Sequence, residues 1–209
     1  MENKNRRITV VTERRAVLSW MAAAGVAALA GISPRPVAAA SPSSCVVTPE
    51  QSEGPYFVDT RLNRSDIRSD PVDGSVREGL PIMLNLAVWS VGASACAPLS
   101  GALVDIWHCD ALGVYSDVRD PTFNAAGKKF LRGYQVSDAN GRVAFTTIYP
   151  GGYEGRAVHI HFKVRGRHPS GRGYEFTSQF YFDDATTERV HLRQPYAAKG
   201  KRALRNERD

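Results

Sequence analysis

Cysteine is scarce in this chain of 209 residues: Cys45, Cys96 and Cys109. No two of them form a Cys-x-x-Cys pair, which removes the usual basis for a structural zinc site. In an oxidising compartment they allow one disulfide and one odd thiol. If 101–108 is a strand, Cys96 and Cys109 lie near its opposite ends, about eight residues apart at roughly 3.3 Å each, too far to bridge. Cys45 is then the shared partner, with either of the others. Long apolar runs are missing too. The stretch from Trp20 to Ile32 falls short of the roughly 20 residues a membrane span needs. Helical periodicity is almost absent, and there is no internal repeat. Positive charge is not concentrated on the body of the chain. The formal net charge is +6, but residues 1–40 carry +4 and the tail from Lys199 to Asp209 carries +3. The body is close to neutral, which excludes a nucleic-acid footprint. The basic tail, 199–209, is expected to be a solvated, frayed end.

What is present begins with a leader. Arg14-Arg15-Ala16-Val17-Leu18 is a twin-arginine pattern, the apolar run follows, and Ala38-Ala39-Ala40 offers a small-residue cleavage site before Ser41. Residues 1–40 are therefore expected to direct export by the twin-arginine route, with no stable membrane anchor left behind. One domain is expected over 41–198.

Within that domain, short strands alternate with turn signals. Ser41 to Asp59 is extended, and Arg61 to Gly79 is polar and loop-like. In Leu80 to Val91, Leu84, Leu86 and Val88 alternate with Met83, Asn85 and Ala87. Cys96 to Ser100 reads as a turn. In Ala102 to His108, Val104, Ile106 and His108 share one face, with Leu103, Asp105 and Trp107 on the other. Leu131 to Ser137 and Val143 to Ile148 flank Asp138-Ala139-Asn140-Gly141, an expected hairpin turn. Ala157 to Val164 and Tyr174 to Phe182 complete the strands, and Asp184 to Leu192 has room for a short helix. The fold class expected is all-β, a sandwich of mixed or antiparallel strands with long loops at its active site.

The most informative stretch is Ala157-Val158-His159-Ile160-His161-Phe162-Lys163-Val164. In a strand, residues i and i+2 share a face, so His159 and His161 project side by side while Val158, Ile160 and Phe162 face the other way. Two neutral imidazoles on one face make half of a metal site. No helical His-x-x-x-His frame with a carboxylate completes it. Tyrosine lies nearby instead: Pro150-Gly151-Gly152-Tyr153 presents one, and the loop after the second strand ends in Tyr115. Phenolate is a hard anionic oxygen donor, suited to ferric iron. Tyr149, four residues before Tyr153, competes with it for this place. His108, His168 and His191 lack any partner pattern.

Several pieces in order carry a family resemblance. They are Thr48-Pro49-Glu50-Gln51 with Gly54-Pro55-Tyr56; Gly101 to Trp107 followed by Gly113-Val114-Tyr115; Phe130-Leu131-Arg132-Gly133; Pro150-Gly151-Gly152-Tyr153; Arg156 to Phe162; and Gln179-Phe180-Tyr181-Phe182. Together they span about Thr48 to Asp183, and the chain resembles the intradiol ring-cleavage dioxygenases. The resemblance implies a non-haem Fe(III) held by Tyr115, Tyr153, His159 and His161. It implies an aromatic ortho-diol and O₂ as substrates, with a muconate-type product. It gives Tyr153 a second role as a displaceable proton acceptor, Arg156 a charge-stabilising role, and Gln179 a place lining the pocket. Only six positions separate Tyr153 from His159, which implies a trimmed loop and leaves the choice of diol open. The oligomeric state is open as well, a homo-oligomer included. A reading from another class is a transthyretin-like β-sandwich binding module, which needs the sandwich but no convergence of Tyr115, Tyr153, His159 and His161.

Overall fold

The computed structural model describes residues 7–12, 46–92, 95–167, 171–200 and 204–209. Its strands are β1 (Arg7–Thr12), β2 (Pro81–Val91), β3 (Cys96–Pro98), β4 (Leu103–Trp107), β5 (Arg119–Asp120), β6 (Phe123–Asn124), β7 (Arg132–Val136), β8 (Arg142–Ile148), β9 (His159–Arg167) and β10 (Gly173–Tyr181). One α-helix, α1 (Asp184–His191), and 3-10 turns at Tyr196–Lys199 and Asn206–Arg208 follow. Strands β1, β3 and β8 pair with β2, and a second sheet has the order β10-β9-β4-β7. All these pairings are antiparallel. The architecture is all-β, as the turn-separated alternation predicts.

The core lies between the two sheets. Leu86 and Val88 of β2 and Val143 and Phe145 of β8 meet Val104 and Ile106 of β4 and Ile160, Phe162 and Val164 of β9. Each such side chain contributes about 1.5–3 kcal/mol by leaving water. The alternation expected in β2 holds in part: Leu86 and Val88 are buried and Met83 is exposed, but Ala87, expected on the outward face, is buried as well. The loop 61–79 is tied down by Ile67, fully buried, whose carbonyl accepts from Leu131 N–H at 2.7 Å.

Three expectations need revision. The turn at 138–141 is not a hairpin, because β7 pairs with β4 and β8 pairs with β2. A type I′ hairpin needs positive φ at both central residues, and of Asn140 and Gly141 only Gly141 has it. Gly141 instead docks on β2: its carbonyl accepts from Val88 N–H at 2.8 Å, and a Cβ there would lie 2.3 Å from Val88 O. The chain so crosses from one sheet to the other. Second, Cys96–Pro98 pairs with Trp89–Val91 as β3 instead of turning freely. Third, the expected frayed tail is docked at its end, since the Asp209 carboxylate accepts two hydrogen bonds from Arg156. Arg7–Thr12, within residues 1–40, pairs with β2 and places Ile8 in the core; Arg14, Arg15 and Ala38 to Ala40, which carry the expected export signal, lie outside the described residues. Cys96 is disulfide-bonded and Cys109 is free and buried, while Cys45 lies outside the described residues. No helix among the described residues is long and apolar enough to cross a membrane.

Candidate metal centre

The centre is built on the face of β9 turned away from the core. Antiparallel register places His161 between Trp107 of β4 and Gln179 of β10, with Tyr181 opposite His159. The Trp107 and His161 rings stack at 4.8 Å with planes 4° apart, which fixes the imidazole's tilt. His159 is held differently. Its Nδ1 lies 2.7 Å from Ala157 O, and a carbonyl only accepts, so Nδ1 carries the proton and Nε2 keeps the lone pair. The two Nε2 atoms are 2.9 Å apart.

Two loops bring in the tyrosines. In the first, Asp110 Oδ1 accepts from Leu112 and Val114 N–H at 2.9 and 3.0 Å, setting a tight turn before Tyr115. In the second, Gly151 N–H donates to Asp110 O at 3.1 Å. A Cβ on Gly151 would lie 2.3 Å from Ala111 O, so only glycine allows the loops to close on each other. The Tyr115 hydroxyl reaches His159 Nε2 at 3.3 Å. The Tyr115 and Tyr153 rings meet edge to face at 5.7 Å. The Tyr153 hydroxyl, however, points to a second polar cluster. It contacts the Tyr56 hydroxyl and donates to Asp120 Oδ2 at 3.2 Å, and Tyr56 donates to the same oxygen at 2.5 Å.

Electrostatics favour neutral imidazoles. Burial lowers the pKa of His159, and burial with His159 beside it pushes His161 down to about 2. Tyr115, 1% exposed, is raised well above its ordinary value by burial; a cation bound at the three donors would reverse that direction. Tyr56 is raised by burial and by its bond to Asp120, while that bond holds Asp120 down at about 2.

The donor set fits a metal ion. Atoms bound to one ion at about 2.0–2.2 Å stand roughly 3 Å from each other, and His159 Nε2 has that spacing to both Tyr115 Oη, at 3.3 Å, and His161 Nε2, at 2.9 Å. Among the described residues no cluster of three His, Cys, Asp or Glu side chains competes for this role. Of these donors the imidazoles are neutral and borderline, and a phenolate from Tyr115 would be hard and anionic, a combination that suits ferric iron.

The other expected residues are distributed as follows. Arg156 donates from Nη2 to Gln179 Oε1 at 2.8 Å, and Gln179 Nε2 donates to Ser52 O at 2.9 Å. Tyr149 is not at the centre; its hydroxyl pairs with Thr187 Oγ1 at 2.7 Å in a cluster against α1. His108 is fully buried between Cys109 O and Thr147 Oγ1, each 2.7 Å away. His191 contacts Pro150 O, and His168 lies outside the described residues. Sequence reasoning missed Tyr56, Asp120, Trp107, Tyr181 and Asp209. Tyr56, Trp107 and Tyr181 stood inside the pieces that carried the resemblance, and strand parity already set Trp107 off the core face. Asp120 and Asp209 had no pattern to mark them.

Known proteins resemble this chain in sequence and in fold. A family model described as "Dioxygenase" matches residues 52–199. A chlorocatechol 1,2-dioxygenase of Pseudomonas sp. (strain P51) is 33% identical over 109 residues, 42% of this chain and 39% of that protein. Catechol 1,2-dioxygenase 1 of Acinetobacter lwoffii is 31% identical over 130 residues, 58% of this chain and 38% of that protein. The chain thus spans less than two fifths of the length of these two relatives. The solved structure of an intradiol ring-cleavage dioxygenase from Tetranychus urticae is 33% identical, with a TM-score of 0.65 and coverage of 79% of both chains.

Proposed function

Since the chain belongs to the intradiol dioxygenase family, we propose that it cleaves an aromatic ortho-diol of the catechol type with O₂, between the two hydroxyl-bearing carbons, to a cis,cis-muconate-type product. One observation carries the reading: His159 Nε2 lies 3.3 Å from Tyr115 Oη and 2.9 Å from His161 Nε2, and all three side chains are buried. Tyr115, Tyr153, His159 and His161 would hold a non-haem Fe(III). The chemistry supplied by the iron, when bound, is Lewis acidity toward the diol oxygens and activation of the ring toward O₂.

The protein's own groups do the rest. Ala157 O and the Trp107 ring orient the two imidazoles. Tyr153 is the proton acceptor: as phenolate it takes a proton from one diol hydroxyl. The neutral phenol formed is received by Tyr56 and Asp120, where the Asp120 carboxylate accepts from both hydroxyls. Arg156, held by Gln179 Oε1, is a fixed cation toward negative charge developing on the ring. Export by the twin-arginine route belongs to the same proposal, and loss of export on changing Arg14 and Arg15 to Lys is its check.

The test of the reaction is a visible spectrum and iron assay of the purified protein, before and after anaerobic addition of catechol. A broad phenolate-to-iron band that shifts with catechol, followed by muconate formation on admitting air, is the expected result. A colourless protein that takes up no iron on reconstitution overturns the reading.

A further inference from the structure

Arg156 has a partner that the reaction alone does not require. The Asp209 carboxylate accepts from Arg156 Nε at 2.8 Å and Nη2 at 2.7 Å, from Ala157 N–H at 2.8 Å and from the Tyr181 hydroxyl at 2.8 Å. Four donors around one carboxylate, two of them from a guanidinium fork, make a strong and directional set. The Asp209 side chain is 6% exposed, so water competes little for it. The segment around it is anchored by Asn206 Nδ2, which donates to Phe182 O at 2.7 Å, and by the Arg205–Glu188 ion pair.

The placement matters because of what Asp209 touches. Arg156 Nη2 is shared between Asp209, Gln179 and the Tyr181 hydroxyl. Ala157 binds Asp209 through its N–H and His159 through its carbonyl, on successive peptide groups. Asp209 so grips the cation and one metal-site imidazole through two adjacent residues. We propose that Asp209 is a positioning residue for ring cleavage. It fixes the direction in which the Arg156 guanidinium faces the diol and steadies Ala157, whose carbonyl orients His159. This inference rests on the dioxygenase reading for its kinetic consequence, and on geometry alone for the contact itself.

The experiment uses the full chain with Asp209→Ala, Asp209→Glu, Arg156→Ala and the double variant. Steady-state kinetics with catechol are combined with amide hydrogen exchange of the metal-free protein around 156–157. Misdirecting a fixed charge lowers kcat by about 10- to 100-fold. The expected result for Asp209→Ala is that loss, with KM and iron content little changed and partial recovery in Asp209→Glu. Added to Arg156→Ala, it lowers kcat by clearly less than on the parent background, because the part acting through Arg156 is already lost and only the part through Ala157 and His159 remains. Exchange at Ala157 N–H quickens by about tenfold or more once its acceptor is gone. The proposal is overturned if Asp209→Ala leaves kcat within twofold of the parent, or if its full loss recurs on the Arg156→Ala background. If the parent protein binds no iron and cleaves no diol, the dioxygenase reading fails separately. Unchanged exchange at Ala157 would then remove the contact as well, while faster exchange would leave it standing.

Discussion

Along β9, Ile160, Phe162 and Val164 are 0% exposed, and the residues between them, His161 and Lys163, are 3% and 5%. Both faces of the strand are dry, so burial does not separate core from site here. What covers each face does. The apolar face meets the other sheet, where Leu86, Val88 and Phe145 offer only carbon. The polar face lies under chain that brings polar atoms: Tyr56 and Glu53 of the extended segment, the Tyr115 loop and the Tyr153 turn. A strand with period 2 can serve two environments at once, because neighbours in sequence never share a face.

The comparison breaks most severely on the polar face at His161. His161→Ala removes one of three converging donors and the ring that Trp107 stacks on. Iron content is expected to fall well below one per chain and catechol cleavage to drop at least about 1,000-fold, while the far-UV circular dichroism stays that of the parent. On the apolar face the opposite pattern is expected. Phe162→Ala, which removes the ring that packs on Phe176 and Phe180 of β10, lowers unfolding stability by about 3–5 kcal/mol. Molecules that remain folded should still bind iron and turn over near the parental rate. If Phe162→Ala instead abolished iron binding in the folded fraction, the two faces would not be separable.

His108 sharpens the comparison, since it is an imidazole without a place in the metal centre. It is fully buried, it bridges to Thr147 on the other sheet, and burial lowers its pKa to about 4. Above pH ~6.5 the ring is neutral both folded and unfolded, and its stabilising contacts are intact. As pH falls from there toward 4, the unfolded chain takes up a proton that the native state refuses. Stability should then fall by about 1.4 kcal/mol per pH unit from this group. Denaturant titrations of the metal-free protein between pH 7 and 4 measure it, and His108→Gln should flatten the slope by that amount.

Much of this was legible beforehand, and the reasons are physical. Strands and their faces were readable because β9 alternates strictly and β2 and β4 carry an apolar residue at every second position, and the His pair declared itself by the same rule. The cross-sheet passage at 138–141 was not readable: Asn-Gly specifies a positive φ but says nothing about which strand will accept Gly141 O. The second cluster of Tyr56 and Asp120 forms between positions 64 residues apart, and no local spacing encodes such a contact. Asp209 sits among five basic residues in the tail, so its neighbours suggested a solvated end while its carboxylate was complementary to a guanidinium 53 residues away.

The smallest effect is expected at Lys163, and it decides what the polar face needs. The ammonium contacts Glu53, lies 3.6 Å from Glu175 and sits 3.9 Å over the Phe57 ring. A buried cation resembles a structural requirement, yet its two carboxylate partners are 46% and 65% exposed. On losing the lysine they return to water without being stranded, which is the condition under which replacing an ion pair by an apolar side chain is close to neutral. Lys163→Met keeps the length of the stem and the contact with Phe57. Its unfolding stability should lie within about 1 kcal/mol of the parent, with iron content and turnover unchanged. A loss of more than about 3 kcal/mol, of the size seen when a buried charge is left unpaired, would mean that the polar face depends on its whole row of charges. A neutral result would narrow the requirement to the two imidazoles and the tyrosines that meet them.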